Sequence, residues 1–241
     1  RDNKTVHGPR VLVLTPTREL AMQVAKATDS YGRHIPGLRV ATIVGGVPYH
    51  AQLKALRGPL DVLIATPGRL MDHMANGKAV LANVELFVLD EADRMLDMGF
   101  IDDIKLVAQA LPAERQTMMF SATFADEIKQ LAAQFLRSPV EVQVAARNSV
   151  AATVRHVVHP VDGPRKRDLL QHLLAADSRR QTLVFSRTKH GADKLVTFLE
   201  HSGFKAAAIH GNKSQNARTK ALKDFKTGKV VILVATDIAA R

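Results

Sequence analysis

The sequence predicts an α/β fold in two domains with mostly parallel sheets. Short apolar runs rich in β-branched residues alternate with amphipathic stretches along the 241 residues, which is the alternation of strands and crossover helices in parallel sheets. The runs are apolar almost throughout, as expected of strands that are buried on both faces. Hydrophobic residues make up 46% of the chain, enough to bury a core in each domain.

The elements form two series separated by a linker. The first series predicts strands Val11–Thr15, Val40–Val44, Asp61–Thr66, Leu86–Asp90, Thr117–Ser121 and Val140–Val144, and helices Arg18–Tyr31, Ile101–Ala110 and Ala125–Phe135. The second series predicts strands Arg155–Val161, Thr182–Ser186, Lys205–Ile209 and Val230–Ala235, and helices Pro164–Ala176, Lys189–Ser202 and Ser214–Lys226. Residues 145–153 are small and polar without periodicity, which predicts a linker. The predicted domains are therefore residues 1–147 and 148–241.

The charge of the chain is concentrated in the second predicted domain. Lys and Arg exceed Asp and Glu by 11 overall. Residues 1–147 hold 17 basic and 16 acidic residues, whereas residues 148–241 hold 17 basic and 7 acidic residues. This excess favours a polyanionic partner through the release of counterions from phosphates. A well-solvated basic surface explains the composition equally well.

Composition excludes several classes of protein and site. The chain has no cysteine, which excludes disulfides, cysteine-ligated zinc, iron–sulfur clusters and a thiol nucleophile. It has no apolar run long enough to span a membrane and does not open with a signal-peptide pattern. The lack of cysteine is compatible with a reducing compartment, and we expect a cytoplasmic protein.

An acidic run directly follows a predicted strand. Leu86–Asp90 leads into Glu91 and Asp93, and Asp90 at the carboxyl edge of a sheet is suited to hold Mg²⁺ beside a phosphate. Glu91 would orient the attacking water and accept its proton, while Asp93 would connect this loop to a neighbouring strand. Acidic residues also suit the start of any helix, because unpaired N–H groups and the helix dipole favour them there. The acidic run alone leaves both interpretations open.

Hydroxyl groups follow the next predicted strand. Ser121 and Thr123 can hydrogen-bond Asp93 across the sheet edge, or they can cap the helix that begins near Ala125. The predicted catalytic group comprises Asp90, Glu91, Asp93, Ser121 and Thr123, with Asp90 as the metal ligand.

Three further strand ends carry groups that suit phosphates. Each offers backbone N–H groups, a hydroxyl or an arginine at the start of a helix, which grip a nucleic-acid backbone without reading its sequence. The residues are Thr17 and Arg18, then Gly45 and Gly46, then Thr66, Pro67, Gly68 and Arg69. Any one of these motifs is explained by turn and cap chemistry. Three in succession in a basic chain favour nucleic-acid binding.

The second series has comparable strand ends. Its candidate phosphate contacts are Arg187, Gln215, Arg218 and Thr236. Gln215 and Arg218 lie three residues apart at the start of a predicted helix, on one face. Most of the other lysines in this region are expected to form solvated helix faces.

The motifs PTREL, GG, TPGR, DEAD, SAT, VFSRTK, Gln-x-x-Arg and ATD-x-x-x-R occur in an order that resembles the DEAD-box RNA helicases of superfamily 2. The stretch IHGNKSQNART resembles their bacterial RhlE-like branch. The resemblance covers almost the whole chain and implies two RecA-like domains that use ATP and Mg²⁺ and hold single-stranded RNA by its backbone. It implies that Asp90 and Glu91 act in hydrolysis, that Asp93, Ser121 and Thr123 couple hydrolysis to strand separation, and that the candidates in both domains contact RNA. We expect a monomer, RNA as partner and no membrane association.

Two family motifs do not occur in the chain. The phosphate-binding pattern G-x-x-x-x-G-K-[ST] is absent, and the family places it upstream of PTREL. The family's arginine-rich motif comes after the point at which this sequence stops, at Arg241. We therefore expect both domains to be truncated, and we expect the 241 residues alone to lack ATPase activity.

Three other functions stay open on the sequence. A degenerate helicase core would bind RNA as a clamp without turning over ATP. A metal-dependent nuclease would use Asp90, Glu91 and Asp93 together with further ligands around the metal. A related superfamily-2 DNA helicase is the third alternative, although DEAD together with PTREL and TPGR favours RNA.

Overall fold

The computed structural model describes residues 8–144 and 154–236. Contacts between residues divide the chain into two compact units, Arg1–Val150 and Ala151–Arg241. Each unit is built on a parallel sheet with helical connections, which confirms the predicted α/β class. The predicted linker, residues 145–153, lies outside the described residues.

The first unit contains a five-stranded parallel sheet. Its strands are β1 (Val11–Leu14), β2 (Val40–Ile43), β3 (Val62–Ala65), β4 (Leu86–Leu89) and β5 (Gln116–Met119), in the order β2-β3-β1-β4-β5. Its helices are α1 (Arg18–Tyr31), α2 (Tyr49–Leu56), α3 (Pro67–Ala75), α4 (Ala92–Asp97), α5 (Ile101–Gln109) and α6 (Asp126–Phe135). A 3₁₀ turn, Gly32–His34, follows α1.

Helices cover both faces of this sheet. Successive side chains of a strand point to opposite faces, so β1 directs Leu12 to one core and Val13 to the other. Leu12 packs in a large cluster with residues of α3 to α6, including Met95 and Ile104. Val13 packs in a smaller cluster with Ala21 of α1. The apolar runs of β1 and β3 reflect this burial on both faces, as the sequence predicts.

The second unit contains a three-stranded parallel sheet. Its strands are β6 (Thr182–Ser186), β7 (Ala206–Ile209) and β8 (Ile232–Thr236), in the order β6-β8-β7. Its helices are α7 (Lys166–Ala176), preceded by a 3₁₀ turn at Gly163–Arg165, α8 (Lys189–His201) and α9 (Gln215–Lys226). The central strand β8 is buried along its whole length, and its two faces contribute to two clusters, around Leu199 and around Ala221.

Two predicted strands are wrong. Val140–Val144 and Arg155–Val161 have no regular secondary structure over the residues that the structure describes. Val140, Val142 and Val144 are 88%, 78% and 96% exposed. An alternating apolar pattern becomes a strand only when a neighbouring strand accepts its hydrogen bonds, and no described strand lies beside either segment.

Burial of the edge strands also differs from the prediction. Within the described residues, β5 pairs with β4 alone and β6 with β8 alone, and the side chains of both strands alternate between exposed and half-buried. Phe120, just after β5, is 50% exposed and Phe185 of β6 is 59% exposed. The predicted burial on both faces therefore holds for the central strands and fails at these edges.

Helices α2, α3 and α4 were not individually predicted from the sequence. Within the described ranges, no helix is both long enough and apolar enough to cross a membrane.

Candidate functional site

The carboxyl edge of the first sheet brings the predicted motifs of the first unit together. Parallel pairing continues past the strand ends through backbone N–H donors: Thr15 to Ala65 (3.0 Å), Thr66 to Ile43 (3.0 Å), Asp90 to Leu14 (3.0 Å) and Phe120 to Leu89 (2.8 Å). Five consecutive strand ends are thereby held in one row. The candidate residues in the loops that follow lie along this row in the order of the strands.

The acidic pair stands directly after β4. Asp90 is half-buried, and burial raises the pKa of its carboxyl group, although a hydrogen bond with the backbone of Glu91 opposes the shift. Burial also raises the pKa of Glu91, and the charges of Asp90 and Asp93 add to the effect while Arg94 opposes it. Two carboxylates at adjacent positions in a partly dry environment favour a compensating cation.

The backbone of Glu91 is left-handed, with φ 52° and ψ 54°. This conformation is rare outside glycine and costs on the order of 1–3 kcal/mol. The turn lets α4 begin at Ala92 immediately after the strand, and the N–H of Ala92 donates to the carbonyl of Phe120 at 2.9 Å. The strained turn therefore places both carboxylates at the sheet edge and ties them to the β5 side.

Asp93 links the β4 loop to the β5 loop. Its Oδ2 accepts from the backbone N–H of Thr123 at 3.1 Å and from the Thr123 hydroxyl at 3.0 Å. The prediction that both hydroxyls reach Asp93 is wrong for Ser121, whose hydroxyl donates instead to the carbonyl of Thr123 at 2.8 Å. Ser121 therefore shapes the loop, and Thr123 makes the contact.

Arg18 lies against the glycine pair that follows β2. A Cβ atom at Gly46 would be 2.2 Å from Nη1 of Arg18, and one at Gly45 would be 2.9 Å from Nη2. Gly46 also has φ +76°, which L side chains rarely adopt. The two glycines thus allow the guanidinium to approach the loop, and the PTREL and GG motifs form one surface. Thr17 caps α1, accepting from the N–H of Leu20 at 3.3 Å.

Gln52 of α2 stabilises this glycine loop, and it was not among the residues predicted from the sequence. Its side chain is 3% exposed. Its Oε1 accepts from the N–H of Val44 at 3.0 Å, and its Nε2 donates to the carbonyls of Val44 and Val47 at 3.1 and 3.0 Å. All three bonds bracket Gly45 and Gly46. No signal in the sequence pointed to Gln52, because a lone glutamine in a short helix has no distinctive pattern.

Arg69 closes the same loop from the β3 side. Its Nη1 donates to the carbonyl of Val47 at 3.0 Å, and its Nε lies 3.5 Å from Asp72. Its guanidinium also lies 6.0 Å from the ring of Tyr49. Within TPGR, Thr66 is buried at the N-cap of α3 and its side chain makes no capping hydrogen bond, while Pro67 occupies the first turn. Gly68 has open space around its Cα.

A buried ring pair supports the loop. Tyr49 and His73 stack with centroids 4.2 Å apart and planes 7° apart. His73 is fully buried, and neither ring nitrogen has a hydrogen-bond partner among the described residues. Burial lowers the pKa of His73, and the charge of Arg69 lowers it further while Asp72 opposes. The imidazole is therefore neutral at neutral pH.

The second unit also places its candidates at the carboxyl edge of its sheet. Thr236 ends β8 in register with Ser186 of β6, and Arg187 follows β6 with its side chain exposed. Gln215 is the first residue of α9 and is half-buried, while Arg218, one turn later, is 7% exposed. Arg187 is exposed, whereas Arg218 is buried.

A polar network fixes the loop between β7 and α9. His210 is 1% exposed and its Nε2 lies 3.0 Å from Oδ1 of Asp193, which also accepts from Lys213 at 2.9 Å. Burial raises the pKa of Asp193, but the hydrogen bonds and charges of His210 and Lys213 outweigh burial and leave that pKa below its ordinary value. Lys189 donates to Asn212 at 3.0 Å. The loop that precedes Gln215 is therefore anchored to α8.

No three His, Asp or Glu residues are grouped so that they could hold a metal ion within residues 8–144 and 154–236. Asp90 supplies one hard oxygen ligand with Glu91 beside it. That set fits Mg²⁺, which usually takes one or two carboxylates and completes its shell with water and phosphate oxygens.

Comparisons with known proteins identify both units. Residues 2–131 match the family model of the DEAD/DEAH box helicases, and residues 165–241 match that of the helicase conserved C-terminal domain. The ATP-dependent RNA helicase DeaD of Buchnera aphidicola is 39% identical over 239 residues, covering 99% of this chain and 40% of the relative. DBP2 of Saccharomyces cerevisiae, named as an ATP-dependent RNA helicase, is 43% identical over 238 residues, covering 97% of this chain and 43% of the relative. The chain thus spans about two-fifths of the length of these curated relatives.

Solved structures agree with this assignment. S. cerevisiae Dbp5 bound to RNA and ADP BeF3 superposes with a TM-score of 0.86 at 27% identity, over 100% of this chain and 61% of Dbp5. A DEAD box protein of Methanococcus jannaschii has a TM-score of 0.55 at 37% identity, over 98% of this chain and 62% of that protein. The predicted RecA-like α/β fold class is confirmed. The chain belongs to the DEAD/DEAH box helicase family.

Proposed function

We propose that the protein is an ATP-dependent RNA helicase that works as a cytoplasmic monomer. The observation that carries the proposal is the contact between Asp93 and Thr123. It lies in the same row of strand ends as Arg18 and the loop that contains Gly45 and Gly46. That row of strand ends places acidic groups suited to ATP hydrolysis on the same sheet edge as a surface suited to an RNA backbone. The first unit acts as the first helicase domain (residues 1–147) and the second as the second helicase domain (residues 148–241).

In ATP hydrolysis, Asp90 and Glu91 have different roles. Asp90 would hold Mg²⁺, which neutralises charge on the phosphates when it is bound. Glu91 orients the attacking water and accepts its proton, since a carboxylate whose pKa lies above its ordinary value is a better base. Asp93 and Thr123 connect this loop to the loop after β5. A change in the position of the β4 loop when the phosphates change is therefore transmitted to the β5 loop. Ser121 maintains the shape of that connection.

RNA is held by its backbone. In the first unit the contacts are Thr17, Arg18, Gly45, Gly46, Thr66, Pro67, Gly68 and Arg69. In the second unit they are Arg187, Gln215 and Thr236, and Arg218 requires a local rearrangement to contribute. Backbone N–H groups, hydroxyls and guanidinium groups recognise phosphates without reading bases, so we expect little sequence preference. ATP and RNA favour the same conformation of the protein. Binding of either one therefore raises the affinity of the protein for the other.

RNA-stimulated ATP turnover and duplex unwinding by the full-length natural protein test this proposal. Glu91→Gln should abolish turnover and preserve RNA binding, while Glu127→Gln, an exposed glutamate in α6, is the matched control and should behave as the natural protein does. RNA binding without turnover by the natural protein would instead establish a clamp. Cleavage of RNA with Mg²⁺ alone would establish a nuclease, and unwinding confined to DNA duplexes would establish a DNA helicase.

A further inference from the structure

The amino edge of the second sheet collects three chain segments. The N–H of Thr182 donates to the carbonyl of Val231 at 2.8 Å, and the N–H of Val231 donates to the carbonyl of Lys205 at 3.0 Å. The side chain of Gln181 also bonds the carbonyl of Phe225 at the end of α9. These bonds place the turns before β6, β8 and β7 side by side, at the edge opposite the family motifs.

Four cations lie on these turns, and a fifth, Lys226, is the last residue of α9. We call them the amino-edge surface, which consists of Arg179, Arg180, Lys205, Lys226 and Lys229. All five side chains are exposed, and none makes a side-chain hydrogen bond or ion pair with another residue in the described ranges. Neighbouring strands are about 4.8 Å apart, so the three strand starts span about 10 Å.

The acidic residues near this surface do not neutralise it. The same turns and helix ends contain Asp177, Glu200 and Asp224, and Asp224 is already bound by Lys220 at 2.7 Å. Lys223 also lies there, in the last turn of α9. The surface therefore carries a net positive charge and contributes to the excess of the second unit.

Three cations at the amino edge of the first sheet have partners within their own unit. Arg10, before β1, forms a two-bond ion pair with Glu85 at 2.8 and 2.9 Å. Arg39, before β2, donates to the carbonyl of Pro59 at 3.2 Å, and Arg115, before β5, donates to that of Pro112 at 2.7 Å. Arg10, Arg39 and Arg115 are thus engaged within the first unit. Arg57, before β3, is exposed and makes no side-chain hydrogen bond or ion pair within the described ranges, which is also the situation of the five cations in the second unit.

Helix dipoles alone do not explain the lysines. A cation near a helix C-terminus is favourable, but α1, α5 and α6 have no basic residue in the last turn, whereas α9 has two. Three helices of this protein therefore end without such cations, while the last turn of α2 contains Lys54 and that of α4 contains Arg94. Arg179, Arg180 and Lys229 also lie in turns rather than in the last turns of the helices.

We propose that the amino-edge surface is a second RNA-binding surface, which takes RNA that extends beyond the strand held at the carboxyl edge. The inference rests on the proposed RNA helicase function. A five-residue strand is about 17 Å long, so RNA longer than the first site by a few nucleotides reaches the opposite edge. An acidic protein fits less well, because protein interfaces have apolar cores and the described residues of these turns include no exposed large apolar side chain.

The test compares RNA of two lengths in the full-length natural protein. The variant changes Arg179, Arg180, Lys205 and Lys229 to Gln. The matched control changes four exposed cations outside the surface, Lys26, Lys54, Lys78 and Lys194, to Gln. A third variant, Arg179→Lys with Arg180→Lys, keeps the charge. Affinity is measured for single strands of about 10 and about 40 nucleotides over a range of salt concentrations.

We expect the amino-edge variant to bind the long RNA about tenfold more weakly, since each exposed pair contributes modestly, and to lose about 2–3 units of the salt slope. Its affinity for the short RNA should not change. The control and the charge-keeping variant should bind both lengths as the natural protein does. The proposal is overturned if long-RNA affinity is unchanged, if both lengths weaken equally, or if the control weakens as much. Failure of the helicase proposal would be seen separately, as absent ATP turnover with short RNA.

Discussion

The hydrogen bonds of Gln52 make the stability of the glycine loop predictable. Gln52→Leu keeps the size of the side chain and removes three buried hydrogen bonds to Val44 and Val47. Each such bond contributes about 0.5–1.5 kcal/mol net. The added apolar burial offsets about 1 kcal/mol, so the first unit should lose about 1–3 kcal/mol of its free energy of unfolding.

Gln52→Glu should be worse than Gln52→Leu at neutral pH, although it is the smaller chemical change. A carboxylate still accepts from the N–H of Val44, but it places a negative oxygen against the two carbonyls that now receive a donor. Those carbonyls and burial should raise the pKa of the new carboxyl above the ordinary value of about 4.3. The neutral acid restores one donor, so this variant should gain stability relative to Gln52→Leu as pH falls through that pKa.

Tyrosine fluorescence isolates the relevant unit. The chain has no tryptophan and two tyrosines, Tyr31 and Tyr49, both in the first unit. Urea unfolding followed at the tyrosines should shift its midpoint down by roughly 1 M for Gln52→Leu. Gln130→Leu, an exposed glutamine in α6, is the matched control. Equal midpoints for Gln52→Leu and the control, or a more stable Gln52→Glu at pH 7, would refute the role of Gln52.

Four further outcomes follow from the site. Thr123→Val should cost about 1 kcal/mol by removing the hydroxyl donor to Asp93 and should uncouple unwinding from ATP turnover. Thr123→Ser keeps that donor and should preserve both, as unwinding assays on the full-length protein would show. Gly46→Ala should weaken RNA binding and cost roughly 1–2 kcal/mol, because its φ is positive and a guanidinium occupies the space of the new methyl group; Gly203→Ala, also at positive φ but in open space, separates the two effects. Glu91→Gly should stabilise the first unit by up to about 1 kcal/mol and abolish turnover, which urea unfolding and an ATPase assay measure together. His73 has a pKa lowered by burial, so the unfolded chain binds its proton more readily than the folded protein does. The free energy of unfolding should therefore be constant above about pH 6.5 and fall below it by up to about 1.4 kcal/mol per pH unit. His73→Phe should flatten that part of the dependence of stability on pH.

Features that depend on a local pattern were predictable from the sequence. The hydrophobic period alone bounded α1 at Arg18–Tyr31 and β6 at Thr182–Ser186. The strand-end rule placed the first-unit motifs on one edge, because every strand of that sheet is parallel. These features depend on neighbours in the chain or on a topological rule, and both can be read from one sequence.

Features that depend on distant partners could not be read in this way. Val140–Val144 has the alternation of a strand, but a strand also requires an aligned neighbour, which no periodicity reports. Gln52 serves a loop six to seven residues earlier in the sequence, through a fold that only tertiary structure defines. The left-handed backbone of Glu91 arises because β4 and α4 must join without a spacer. For Val140–Val144 and Gln52 the deciding interaction joins segments that local propensity treats separately, and for Glu91 it is a backbone conformation that residue preferences disfavour.

The strand order of the first sheet explains why the acidic pair stands where it does. From β1 the chain moves toward β2, and from β4 it moves toward β5, so the connections that leave these two adjacent strands diverge. Loops that diverge from neighbouring strands leave a crevice between them, and open α/β sheets bind their ligands at this topological switch point. Asp90 emerges from β4 on one wall, and Thr17 and Arg18 follow β1 on the other. The strand order sets the position of the crevice. Substitutions in the loops therefore change which ligand binds there without moving the binding site.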